Sequence, residues 1–104
     1  MAQATHSPSA NTDAVNTYAA VGGVAHELVG VQYSYLGAAP TGGNLKVESP
    51  SGTIVWQAGI KLEDADSFTF DTVSVKGAVG EALIVTLAAA GASCSGKLNS
   101  QTRA

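Results

Sequence analysis

Residues 76–99 read KGAVGEALIVTLAAAGASCSGKLN, and the phase of this stretch decides the fold. Leu83, Val85 and Leu87 alternate with Ile84 and Thr86, which is the period of a strand. Gly77 and Gly80 bracket a turn before it, and small residues around Gly91 supply the turn after it. A second strand then runs from Ser93 to Asn99. It sets Cys94, Gly96 and Leu98 on one face and Ser93, Ser95, Lys97 and Asn99 on the other. Ile84 is apolar on the face opposite Leu83 and Val85. The strand is therefore expected to be covered on both sides, as at an interface between copies of the chain.

The same period continues outward. Val29, Val31, Tyr33 and Tyr35 alternate with Gly30, Gln32 and Ser34. Ala39-Pro40-Thr41-Gly42-Gly43 reads as a turn, since Pro fixes φ and the paired Gly admits positive φ. Leu45 and Val47 face one way and Lys46 and Glu48 the other. Ser49-Pro50-Ser51-Gly52 is a tight turn that joins this strand to Thr53–Ile60 as a hairpin. Ile54, Trp56, Ala58 and Ile60 are expected on one face of that second strand, with Val55 and Gln57 opposite. Phe68 and Phe70 alternate with Ser67 and Thr69 in a further strand. Short strands punctuated by Gly and Pro, with no helical stripe, predict an all-β chain. The expected form is a compact antiparallel β-sandwich or jelly-roll-like barrel of about six to eight short strands.

Residues 1–17, MAQATHSPSANTDAVNT, are small and polar, with Pro8 and a single charged side chain, Asp13. They show no period of strand or helix and are expected to form an extended N-terminal arm, with the sandwich domain spanning 18–104. On this division the arm can be removed without unfolding the domain. Tyr18, where arm meets domain, is its expected anchor.

A chain of 104 residues is one domain. A fold this small is helped by oligomerisation or by docking on a larger body. Charged residues make up 12% of the chain against about 25% in typical soluble domains, which suits a protein largely covered by neighbours. The net charge is -3, and Lys46, Lys61, Lys76, Lys97 and Arg103 are scattered. Nucleic acid is therefore not expected as a direct ligand. The longest apolar run, Ala82–Ala90, is interrupted by Thr86 and falls short of the roughly 20 residues that cross a bilayer, so no membrane is expected as a partner. No basic start followed by an apolar run marks a secretory leader. One cysteine, Cys94, forms no intrachain disulfide, which leans towards assembly in a reducing cytoplasm.

Candidate chemistry is sparse. His6, His26 and Cys94 fall short of the patterned ligand set of a zinc site, and Cys94 reads as a small buried hydrophobe. Glu63, Asp64, Asp66 and Asp71 form one acidic cluster, but its spacing lacks the calcium-loop pattern, and a solvated loop is expected. The serines lie in no nucleophile elbow, so neither enzyme activity nor a cofactor is expected. Trp56 is expected in the core with Ile54 and Ile60. Tyr33 and Tyr35 are expected at its centre or rim. If exposed instead, these aromatics would make a stacking platform for sugars.

Two segments carry a family resemblance. One is Lys76-Gly77-Ala78 with Gly80–Gly91 and Gly96-Lys97-Leu98-Asn99. The other is Tyr33-Ser34-Tyr35 followed by Pro40-Thr41-Gly42-Gly43 and Leu45-Lys46-Val47. Together they resemble small all-β virion proteins of tailed bacteriophages, over roughly residues 24–99. The likeness is one of layout: short Gly-punctuated strands rich in Ala, Val and Thr behind a small-residue arm.

The resemblance implies a capsid decoration, or cement, protein on the outer surface of the virion, assembled in the host cytoplasm. It implies the major capsid protein as partner, homotrimeric assembly, and no catalytic residue. On this reading the arm contacts the shell through Thr5, His6, Pro8, Asn11, Val15 and Tyr18, while Val55, Ile84 and Thr86 form an oligomer interface. The alternative is a receptor- or glycan-binding module of a phage fibre or tail.

Overall fold

The computed structural model describes residues 2–37, 43–59, 65–69 (as backbone), 75–89 and 91–103. Among these residues are eight strands: β1 (Ala2–His6), β2 (Ala14–Tyr18), β3 (Glu27–Gly37), β4 (Asn44–Glu48), β5 (Ile54–Gly59), β6 (Ala65–Thr69), β7 (Leu83–Leu87) and β8 (Cys94–Arg103). They form two four-stranded sheets, sheet A in the order β1-β8-β3-β6 and sheet B in the order β2-β7-β4-β5. Every pairing is antiparallel.

The pairings β4·β5, β3·β6, β2·β7 and β1·β8 are successive rungs of one long hairpin that turns at Ser49–Gly52. Rolling that hairpin up adds β3·β8 and β4·β7 and closes each sheet. This is the jelly-roll form of the β-sandwich. At the turn Ser49 N–H donates to Thr53 O (2.9 Å) and Thr53 N–H to Pro50 O (3.0 Å). Gly52 supplies the required positive φ (92°), and its N–H donates to Glu48 Oε2 (2.7 Å).

The core lies between the sheets. Leu83, Val85 and Leu87 of β7 meet Leu45 and Val47 of β4 on the inner side of sheet B. Val31, Tyr33, Tyr35, Cys94 and Leu98 line the inner side of sheet A. The alternation expected of β4, β7 and β8 is the alternation found. Cys94 is buried as expected, and β8 extends four residues beyond the expected Asn99, to Arg103.

The N-terminal segment differs from the expectation. Residues 2–6 pair with β8 as an edge of sheet A, and residues 14–18 pair with β7 as an edge of sheet B. Residues 2–17 are thus no free arm. They supply the two outermost rungs of the hairpin, and Ala14, Asn16 and Tyr18 point into the core region. Tyr18 is a core residue, not an anchor between two parts.

Two phase expectations are corrected by β-bulges, each of which inserts one residue and shifts the alternation. In β3 the register shifts between Leu28 and Gly30, so Leu28 is fully buried and Val29 only partly. In β5 the shift pairs Val47 with Trp56 but Glu48 with Ile54. Trp56 and Ala58 then face inward and Ile54 outward, 49% exposed. Trp56 is half-buried against the core. Asp66, expected in a loop, falls within β6. The expected turn at 39–42, the acidic residues Glu63, Asp64 and Asp71, and Ile60 and Phe70 lie outside the described residues.

Candidate docking surface

A buried polar cluster fastens β2 across the sandwich to sheet A. Asn16 Nδ2 donates towards Ala4 O (3.0 Å), Leu98 O (3.3 Å) and Ser100 Oγ (2.9 Å). The Tyr18 hydroxyl lies 2.7 Å from the same Ser100 Oγ. Asn16 and Ser100 are almost wholly buried. A buried amide left without acceptors loses hydration and gains nothing in return, so these bonds specify where β2 sits. Asn16→Ala removes the donor that serves Ala4 O and Leu98 O and leaves the Ser100 hydroxyl with only its Tyr18 contact. It is expected to cost about 1–3 kcal/mol, read as a lowered urea midpoint. An unchanged midpoint would mean that the cluster does not form.

Burial also raises the Tyr18 phenol above its ordinary range, with the Ser100 hydrogen bond partly opposing. Tyr35, whose hydroxyl donates to Ala88 O (2.9 Å), is raised as well. Burial is the larger cause, and the neighbouring Cys94, Tyr33 and Asp13 add to it. The unfolded chain therefore releases these protons first as pH rises. Stability from this source is whole below about pH 10 and is lost as pH rises through the folded values. Urea midpoints should fall above about pH 10, and less steeply in Tyr35→Phe. Equal slopes for Tyr35→Phe and the natural chain would contradict this.

The chemistry-bearing residues do not gather. Among the described residues no three His, Cys, Asp or Glu side chains come together. His6 Nδ1 accepts a hydrogen bond from Val15 N–H (2.9 Å). His26 is buried, with Nε2 2.8 Å from Ala19 O and Nδ1 without a partner. A carbonyl only accepts, so Nε2 carries the proton.

The residues expected on the arm fall along the two N-terminal edges. Thr5 is exposed, and its hydroxyl donates to Asn99 Oδ1 (2.7 Å). Pro8 is half-buried in the crossing between sheets. Asn11 adopts a left-handed φ of 59° and donates its N–H to Cys94 O (3.0 Å). Val15 is exposed on the outer side of β2, whereas Tyr18 is buried. These six residues do not form one free contact segment.

Val55, Ile84 and Thr86, expected at an oligomer interface, all belong to sheet B on or beside its outer face. The register places two cross-strand rows there. One is Val15–Thr86–Lys46–Gln57, the other Thr17–Ile84–Glu48–Ile54. Val55 is the bulged residue beside them, 38% exposed. The face's two charges pair with each other, Lys46 Nζ lying 3.5 Å from Glu48 Oε1. What remains is aliphatic, hydroxyl or amide.

Sheet A differs outside. Its rows begin Gln3–Gln101 and Thr5–Asn99–Gln32, with Lys97 opposite Ser34. That face is mostly a polar ladder, with one exposed apolar residue, Leu36 (67% exposed), opposite Ser95 at its end.

A second exposed apolar feature was not anticipated. Val21 and Val79 stand on adjacent turns closed by Val24 N–H to Val21 O (3.1 Å) and Glu81 N–H to Ala78 O (3.2 Å), and Gly80 N–H to Val24 O (2.8 Å) stitches the two together. The tripeptide Ala-Val-Gly at 20–22 and again at 78–80 is the sequence signal for it. No protein-family model, no curated protein and no solved structure matches this chain.

Proposed function

We propose that the chain is a non-enzymatic virion structural protein, a decoration protein that binds the outside of a phage head and bridges major capsid protein subunits. The outer face of sheet B carries this reading. Val15, Ile54 and Val55 are exposed there beside Ile84 and an ion pair that neutralises itself. Such a face loses little by leaving water and presents no net charge to a partner. The jelly roll is compatible, since viral capsid proteins and lectins are built on it, although a fold by itself assigns no function. The virion setting comes from the resemblance of the strand layout. On a lattice, several weak faces held in one oligomer, with a trimer expected, add their affinities and raise the free energy needed to burst the shell.

The glycan-binding alternative needs aromatic faces in solvent. Tyr18, Tyr33 and Tyr35 are buried, and Trp56 is half-buried against the core, which weakens that reading.

The test is co-sedimentation with heads prepared without the protein. The natural chain is expected to pellet with the shells. Val15→Glu combined with Ile54→Lys is expected to stay in the supernatant with its melting temperature little changed, because both positions are exposed. Wild-type occupancy by this variant would contradict the face. Indifference of the natural chain would contradict the decoration reading, and a glycan array would then test the alternative.

A further inference from the structure

We infer that β1 is an exchangeable strand, and that the β8 edge it occupies accepts residues 2–6 of a second copy of this chain. β1 is the first of the described strands and an edge of sheet A. Four of its five side chains are exposed, and Ala4 is only half-buried. Its hold on the molecule is therefore mostly the backbone ladder to β8, the Thr5–Asn99 bond, and two ties to β2 through Ala4 O and His6 Nδ1. β2 differs, since it buries Ala14, Asn16 and Tyr18.

All the β1 contacts are available in identical form on another copy, so exchange keeps them, and what an extended crossing gives up is its own bonding, the Asn11 N–H to Cys94 O bond (3.0 Å). The crossing between β1 and β2 supplies a reason to exchange. Asn11 lies within it and is the one non-glycine residue with positive φ among the described residues. Asn tolerates that conformation better than most residues but still prefers negative φ. An extended crossing to a second molecule releases it, and short hinges under strain invite swapping. Pro8, in the same crossing, favours extended backbone in the residue before it. The inference concerns copies of this chain in solution and stands or falls independently of any shell.

The test mixes two full-length single variants, Thr5→Cys and Asn99→Cys, under mild oxidation, with one of them isotope-labelled. Positions 5 and 99 face each other in the β1·β8 register, with side chains in contact. In an exchanged pair the two thiols are held face to face, so a disulfide joining labelled to unlabelled chains forms faster and in greater yield than random collision of exposed thiols gives. The expected major product has twice the chain mass, with a bond from position 5 of one chain to position 99 of the other identified by peptide mass. A 5–99 product no more abundant, relative to the symmetric 5–5 and 99–99 products, than random collision gives would overturn the inference, as would uncrosslinked monomer.

A second variant needs no cysteine. Ala4 lies beside Asn16 and His6 beside Val15, so within one molecule the chain reverses between β1 and β2. The shortest common reversals use about two loop residues. Deleting residues 7–13 joins His6 directly to Ala14 and leaves none, so β1 and β2 continue as one extended line. This variant is expected to shift wholly to at least twice the monomer mass in sedimentation. A folded variant that remains at one-chain mass contradicts exchange.

Discussion

Removal of residues 1–18 is expected to abolish cooperative folding rather than to free a compact core. The deletion takes away β1 and β2, one edge of each sheet. Ala14 and Tyr18 leave the core. Leu83, Val85 and Leu87 lose the strand beside them. On the facing sheet, Ser100 and the Leu98 carbonyl lose the Asn16 amide that satisfies them. Several buried side chains become wet and at least two buried polar groups are stranded. Each such loss costs about 1–3 kcal/mol, against a typical total stability of about 5–15 kcal/mol. Circular dichroism during urea titration should show no sharp transition for the truncated chain. A sharp transition at the natural midpoint would support the expectation that residues 1–17 are a dispensable arm. Deleting residues 1–7 is expected to be much milder, because β1 buries little.

Val85→Asp is expected to have the next largest effect. Val85 is fully buried, at the middle of β7, with Asn16 opposite on one side and Val47 on the other. No cation lies in either cross-strand position, so the carboxylate is buried without a partner or stays protonated. Either outcome costs several kcal/mol, about 3–5, which approaches the whole stability of a small domain. Thermal denaturation is expected to show a melting temperature lowered by many degrees, or no folded state at all. An unchanged melting temperature would mean that β7 does not run through the core in this phase.

The strands β4, β7 and β8 are legible in the sequence because their inward positions near the core are mostly apolar or small, so period 2 shows plainly. The same rule fails at β2 for a physical reason. Its central buried position is Asn16, whose amide is satisfied by three acceptors from across the sandwich. Hydrophobic patterning scores such a residue as solvent-facing. Ala14 and Tyr18 flank it in the correct phase, and that is the available signal. β1 is harder still, since an edge strand with one half-buried alanine has almost no pattern.

The bulges at Val29 and Val55 shift phase in mid-strand, which alternation cannot foresee. Of the candidate surface, Val55 and Ile84 are legible as apolar residues on the face of their strands opposite the expected core, and Thr86 shares that face with Ile84. Val15 enters the sequence reading as part of the arm, and only the β2·β7 register brings it beside Thr86.

β2 is integral to the fold, and on the proposed reading a partner therefore meets a sheet face and not a loose arm. Amide hydrogen exchange on the natural chain tests that placement of β2 most directly. Val15 N–H turns outward to His6, so the alternation of an antiparallel pair aims the N–H groups of Asn16 and Tyr18 at β7. Their protection should equal that of Val85, since both strands open only when the whole fold opens. Exchange at Asn16 and Tyr18 as fast as in an unstructured chain, with Val85 still protected, would contradict the account.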